Sequence, residues 1–211
     1  DEGRKADWII EVKTTTKPEA QILGSAIGLK VMEDVPYVKG LDKFLGTELN
    51  DDAKSYLKDF GAATASNGAV GLYHIENLTP EAKKLGSKLI KPNAKTYVID
   101  DAELERVYKS YPVLWKNKDA KPKLCFIGCP HLSYNQLVLW AENIINGLKE
   151  TGKRKVQVRT VLTTSPQVRK KFEQTELYKK LTKTGAKVSS ICPLMYTNNP
   201  IAGKKPIITS S

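Results

Sequence analysis

Short apolar, β-branched runs alternate along this chain with segments whose apolar residues recur at helical spacing, and that alternation restricts the fold more than any other feature. Trp8 to Val12 and Val35 to Val38 read as strands, and between them Ile22, Leu23, Ala26 and Ile27 mark a helix over 20–31. A helix from Asp51 to Ala65 stops at Asn67-Gly68, a pair suited to a left-handed turn, and Ala69 to Ile75 follows as a buried strand. Thr79 is the expected N-cap of the next helix, with Pro80 at its first position, where a missing N–H costs nothing. The pattern continues through the strand Thr96 to Ile99, the helix Ala102 to Lys109, a polar linker from Lys116 to Lys123 and the strand Leu124 to Gly128. A helix over Ser133 to Leu148, a strand over Val156 to Leu162, a broken helix over Pro166 to Thr184 and a strand over Lys187 to Ile191 complete it. Strands separated by helices imply crossover connections, so the expected class is α/β with mostly parallel sheet. The expected division is a first lobe over 1–78 and a second over 79–211, with no repeat visible in the sequence.

Composition removes several alternatives. The chain has 211 residues, 40% hydrophobic and 27% charged, which suits one large core or two small ones and argues against disorder. No apolar run approaches the roughly 18 residues of a membrane span. Three cysteines, an odd number, point to thiols or thiolate ligands in a reducing, cytoplasmic setting. A net charge of +11 attracts anions, either a small phosphorylated molecule or nucleic acid. Aromatics are only 8% and the basic residues are scattered, so a stacking platform for nucleic acid is a weak alternative. No GxxxxGK[ST], GxGxxG or GxSxG pattern occurs, which leaves nucleotide-dependent and serine-hydrolase chemistry without support.

Cys129 and Cys192 share one local setting: an apolar strand, then Cys-Pro, in FIGCPHLS at 126–133 and SSICPLMY at 189–196. Both fall at the carboxyl end of a strand, where open α/β sheets gather ligands. The proline is expected to end the strand and turn the thiol toward a crevice. Ser133 and Gln136 have capping-box spacing, which would set Cys129 near a helix N-terminus, an environment that favours thiolate. The alternative for both cysteines is burial as small hydrophobes. Cys125, inside its strand, suits the core better than a ligand position. A zinc site from Cys125, Cys129 and His131 is disfavoured by spacing within a strand. His74 and His131 are the two histidines, each at or just beyond a strand end.

Four separated segments together resemble the large subunit of the aconitase X family: LKDFGAATASNGAVGLYHIENLTPEA at 57–82, FIGCPHLSYNQL at 126–137, ICPLMYTNNP at 191–200 and the terminal ITSS. DEGRKADWIIEV resembles the family's Glu-Asn-Arg-Lys segment, with Gly3 in place of the asparagine. The match covers the later half of that subunit, and KKPIITSS stops as a bare strand, so the chain is expected to be a fragment of a larger subunit.

The resemblance implies aconitase-like three-layer α/β lobes and a dehydratase whose three cysteine thiolates hold an iron–sulfur cluster, four-iron by expectation. Cys129 and Cys192 match two of those ligands, and the third lies in the family's N-terminal half. The family's catalytic base is a serine on a small swivelling partner subunit. Ser211 aligns with the serine, and Ser210 with the asparagine, of a terminal Thr-Asn-Ser-Gly-Lys segment. Elimination of water from a 3-hydroxy acid needs a Lewis acid at the leaving hydroxyl and a base at the carbon-bound proton. His131 and His74 are the candidates to donate to or orient the leaving oxygen. Ser66, Asn67, Ser133 and Ser211 are the candidate substrate contacts, with helix capping the plainer role of the first three. Family members suggest mevalonate 5-phosphate, giving trans-anhydromevalonate 5-phosphate, or cis-3-hydroxy-L-proline as substrate, and the positive charge leans toward the phosphorylated one. The reading from another class is a non-enzymatic α/β module that grips an anion or nucleic acid through its lysines.

Overall fold

The computed structural model describes residues 2–112, 117, 119–192, 195, 203 and 205–210. The chain divides into two compact units, Asp1–Pro112 and Val113–Ser211.

In the first unit β1 (Ala6–Val12), α1 (Ala20–Val31), β2 (Pro36–Lys39), α2 (Asp42–Leu45), α3 (Asp51–Gly68), β3 (His74–Ile75), α4 (Pro80–Leu85), β4 (Ile90–Ile99) and α5 (Asp101–Ser110) follow in order. The strands form one parallel sheet in the order β3-β2-β1-β4. Alternate residues of β1 are buried, and Trp8, Ile10 and Val12 join Leu23, Ile27, Phe60 and Ile99 in the core. Burying each such large side chain contributes about 1.5–3 kcal/mol. α1 and α3 pack with their backbones close, because a Cβ on Gly24 would come within 2.6 Å of Phe60 O and one on Gly28 within 2.7 Å of Thr64 O. Asn50 caps α3 by accepting from Ala53 N at 2.8 Å, and Asp100 caps α5 by accepting from Glu103 N at 2.9 Å.

This sheet corrects the expected boundary at residues 78 and 79. β4 pairs with β1 from Trp8↔Lys95 to Val12↔Ile99, and Asp101 accepts a hydrogen bond from Thr15 N, so residues 79–112 complete the first unit. β4 is also longer than the expected Thr96 to Ile99. The strand expected over Ala69 to Ile75 is reduced to His74–Ile75. Thr79 does occupy the N-cap of α4, but its hydroxyl turns back to accept from Ile75 N at 3.0 Å instead of capping the helix.

The second unit contains β5 (Leu124–Leu132), α6 (Tyr134–Glu150), β6 (Arg159–Thr164), α7 (Pro166–Glu173), α8 (Glu176–Lys183), β7 (Lys187–Ser189) and β8 (Ile207–Thr209). Its sheet is again parallel, ordered β7-β6-β5-β8. Both sheets therefore place their four strands in the order third, second, first, fourth, a repeat of topology that the sequence does not display. Ile127, Leu162, Leu137, Phe172 and Leu181 fill the core under the helices, and Leu124, Phe126 and Val161 form a smaller cluster with Ile207. The expected break in the helix over Pro166 to Thr184 occurs at Gln174 and Thr175. The α/β class and the parallel strands are as expected. Among the described residues no helix is long and apolar enough to cross a membrane.

Candidate functional site

β5 leaves its ladder in the middle of the FIGCPHLS segment. Ile127 pairs with Leu162 and Leu132 with Thr164, so Gly128, Cys129, Pro130 and His131 stand opposite Thr163 alone. The expectation that Pro130 ends the strand is corrected here: pairing resumes at Leu132, and proline is accommodated because the ladder has already opened. Such bulges re-aim side chains beside functional sites. Gly128 makes this one possible, with φ +112° and an absent Cβ that would lie 2.7 Å from Thr163 O. Cys129 is exposed on the bulge.

Three hydroxyl and imidazole contacts hold the segment. Thr163 Oγ1 donates to Gly128 O at 2.7 Å, and Thr164 Oγ1 donates to Leu132 O at 2.6 Å; both threonines are fully buried. His131 Nε2 lies 3.2 Å from Ile191 O, and because a carbonyl only accepts, Nε2 carries the proton. That contact joins the Cys129 segment to the one carrying Cys192, which is exposed just beyond β7. Cys125 differs from both: it is half-buried in β5 and burial pushes its thiol up, opposed by a hydrogen bond with Thr160.

The remaining expected site residues have structural partners. Ser133 accepts from Gln136 N at 3.3 Å while Gln136 Oε1 accepts from Ser133 N at 3.0 Å, the capping box that starts α6. In the first unit Ser66 Oγ donates to Ala63 O at 3.2 Å. Asn67 Nδ2 donates to Ser25 Oγ at 3.1 Å and to Ala63 O at 3.0 Å, which ties α3 to α1, and Tyr111 bonds the same serine. His74 is fully buried in β3, with Nε2 donating to Arg4 O at 2.8 Å and Nδ1 buried without a partner. A ring with no exposed surface is not placed to touch a substrate, so the catalytic expectation for His74 is not carried forward. Ser211 lies outside the described residues, as does most of the stretch after Cys192. Thr163 and Thr164 went unnoticed in the sequence, although two hydroxyl residues closing an apolar strand, VLTTSP, are a readable signal.

Among the described residues no group of three or more histidine, cysteine or carboxylate side chains converges on a metal position. The exposed Cys129 and Cys192, on joined segments of one unit, fit a centre that takes two ligands from this chain; Cys125 differs in being half-buried inside β5.

Comparisons with known proteins agree with this layout. Residues 6–109 match the aconitase X second domain and residues 122–211 the aconitase X third domain. The phosphomevalonate dehydratase large subunit of Thermococcus kodakarensis is 33% identical over 144 residues, which is 67% of this chain and 33% of that protein. The phosphomevalonate dehydratase large subunit of Methanosarcina mazei is 34% identical over 135 residues, 64% of this chain and 29% of the relative. The crystal structure of Thermococcus kodakaraensis aconitase X in its holo-form superposes over 100% of this chain with a TM-score of 0.75 and 27% identity. The chain spans 50% of the length of that structure. Two domain matches in succession, over nearly all of both units, place this chain in the aconitase X family.

Proposed function

We propose that this chain supplies the second and third domains of the large subunit of a cytoplasmic hydro-lyase that converts mevalonate 5-phosphate to trans-anhydromevalonate 5-phosphate. The observation that carries this reading is the exposed Cys129 on a four-residue bulge, joined through His131 and Ile191 to the segment of Cys192. The names of the relatives support the substrate, and the net charge of +11 is compatible with a phosphorylated one.

In this reading Cys129 and Cys192 hold an iron–sulfur centre together with a third thiolate from elsewhere in the subunit. Bound there, the centre supplies a Lewis acid for the hydroxyl on C3. His131, with its Nε2 proton committed to Ile191 O, offers Nδ1 to orient the leaving oxygen. A base on a small partner subunit removes the proton from C2, and the products are the alkene and one water. Ser133 serves this site through the cap of α6, and Ser211 remains a proposed contact for the substrate's anionic end.

The test is anaerobic assembly of the complete large subunit with iron, sulfide and its small partner, with water loss followed by mass spectrometry. Turnover of mevalonate 5-phosphate is expected. Turnover of cis-3-hydroxy-L-proline alone would replace the substrate and keep the reaction class. Assembly that binds no iron and turns over neither substrate would overturn the reading in favour of an anion-binding module.

A further inference from the structure

Thr163 touches both cysteine-bearing segments of the second unit. Its side chain bonds Gly128 O, the carbonyl immediately before Cys129, at 2.7 Å, with a longer approach of 3.4 Å to Ile127 O. Its backbone pairs in register with Ser189, three residues before Cys192.

Nothing in the packing of β6 calls for a hydroxyl there. The two residues before it, Val161 and Leu162, are buried and apolar, and valine matches threonine in size and in preference for a strand. A buried hydroxyl costs stability unless it is bonded. The bulge explains its presence. Where four residues face one, the ladder cannot satisfy the Gly128 carbonyl in the ordinary way, and the Thr163 hydroxyl does so. The fit is mutual, since a Cβ on Gly128 would meet Thr163 Oγ1 at 2.8 Å and Thr163 O at 2.7 Å. Gly128 and Thr163 together determine where β5 leaves β6, and so where Cys129 begins.

We propose that Thr163 is a positioning residue that sets the Cys129 thiol against the Cys192 thiol by bonding the carbonyl in front of one and pairing with the strand in front of the other. This rests on the reading of the two cysteines as ligands of one centre, and the experiment separates the two claims.

The probe is dibromobimane, which becomes fluorescent when two neighbouring thiols react with it, applied to the full chain in a Cys125→Ser background so that only Cys129 and Cys192 remain. The parent chain is expected to cross-link. Thr163→Val is expected to lower the yield several-fold, with Thr163→Ser within about twofold of the parent and with unchanged single-site alkylation of Cys192. Retained alkylation of Cys192 and rescue by serine distinguish positioning from general loosening of the unit. If Thr163→Val does not fold, Thr163→Ala against Thr163→Ser carries the comparison. A parent chain that cross-links together with a valine or alanine variant that does so equally well overturns the positioning role and leaves the paired thiols intact. A parent chain that fails to cross-link overturns the convergence of the two thiols itself, and the positioning role with it.

Discussion

His131 Nε2 donates to Ile191 O at 3.2 Å, and that one hydrogen bond reaches from the end of β5, past β6, to the segment that follows β7. The two Cys-Pro segments are thus joined at the carboxyl edge of their sheet. In the complete enzyme, Cys129→Ser or Cys192→Ser is expected to abolish retention of iron and sulfide while leaving far-ultraviolet circular dichroism unchanged. Cys125→Ser is expected to retain both, because that thiol sits half-buried inside β5, beside Thr160, rather than on the exposed bulge. Metal analysis of the three variants checks the assignment.

Replacing Ser133 with alanine removes the oxygen that accepts from Gln136 N and is expected to destabilise the second unit by about 1 kcal/mol. If capping is its whole contribution, KM for substrate stays unchanged in the complete enzyme. A KM raised tenfold at unchanged kcat would instead assign it to substrate binding.

Gly24→Ala and Gly28→Ala test the contact between α1 and α3. Each new methyl group would press on a backbone carbonyl, Phe60 O at 2.6 Å or Thr64 O at 2.7 Å, and backbone of a packed helix yields little. A loss of about 1–3 kcal/mol is expected for either, visible as a lower melting midpoint. No loss at Gly24 would mean that the helices separate at little cost.

Glu103 governs part of the acid response of the first unit. Its carboxyl is pulled down to about 2, chiefly by hydrogen bonds from Arg106 and further by the Tyr97 hydroxyl, against an opposing effect of burial. A carboxylate that is more acidic folded than unfolded stabilises the fold above its unfolded value of 4.5, and that contribution is lost as pH falls toward 2. Glu103→Gln is expected to flatten the dependence of unfolding free energy on pH over that window. Equal slopes for parent and variant would show that Glu103 has no such linkage.

Local chemistry was the legible part of this chain. The capping box at Ser133 and Gln136, the break within the helix over Pro166 to Thr184, and the alternation that predicts parallel sheets depend on neighbours within a few residues, and each is found in the structure. The first lobe's boundary was misplaced because membership of β4 in the first sheet depends on its pairing with β1, more than 80 residues earlier, which no local pattern encodes. The place of His74 at a strand end marks it in the sequence as a site residue, whereas the contacts that surround it, Arg4 O and the Tyr37 ring, come from remote parts of the chain. Cys129 was legible as a candidate, but the bulge that presents it was not. A bulge is a mismatch between two strands, and the threonine that fills it lies on the other one.

The shared strand order has a consequence for synthesis. In each unit the first strand made takes a central position and receives its last neighbour late: Trp8 waits for Lys95, and Leu124 for Ile207. At translation rates of about 5–20 residues per second, a nascent first sheet stands open on one side for on the order of ten seconds. During that interval the backbone edge of β1 that will bond β4 is an exposed template for other chains, a vulnerability that vanishes from the finished molecule and that a ribosome-associated chaperone is suited to cover.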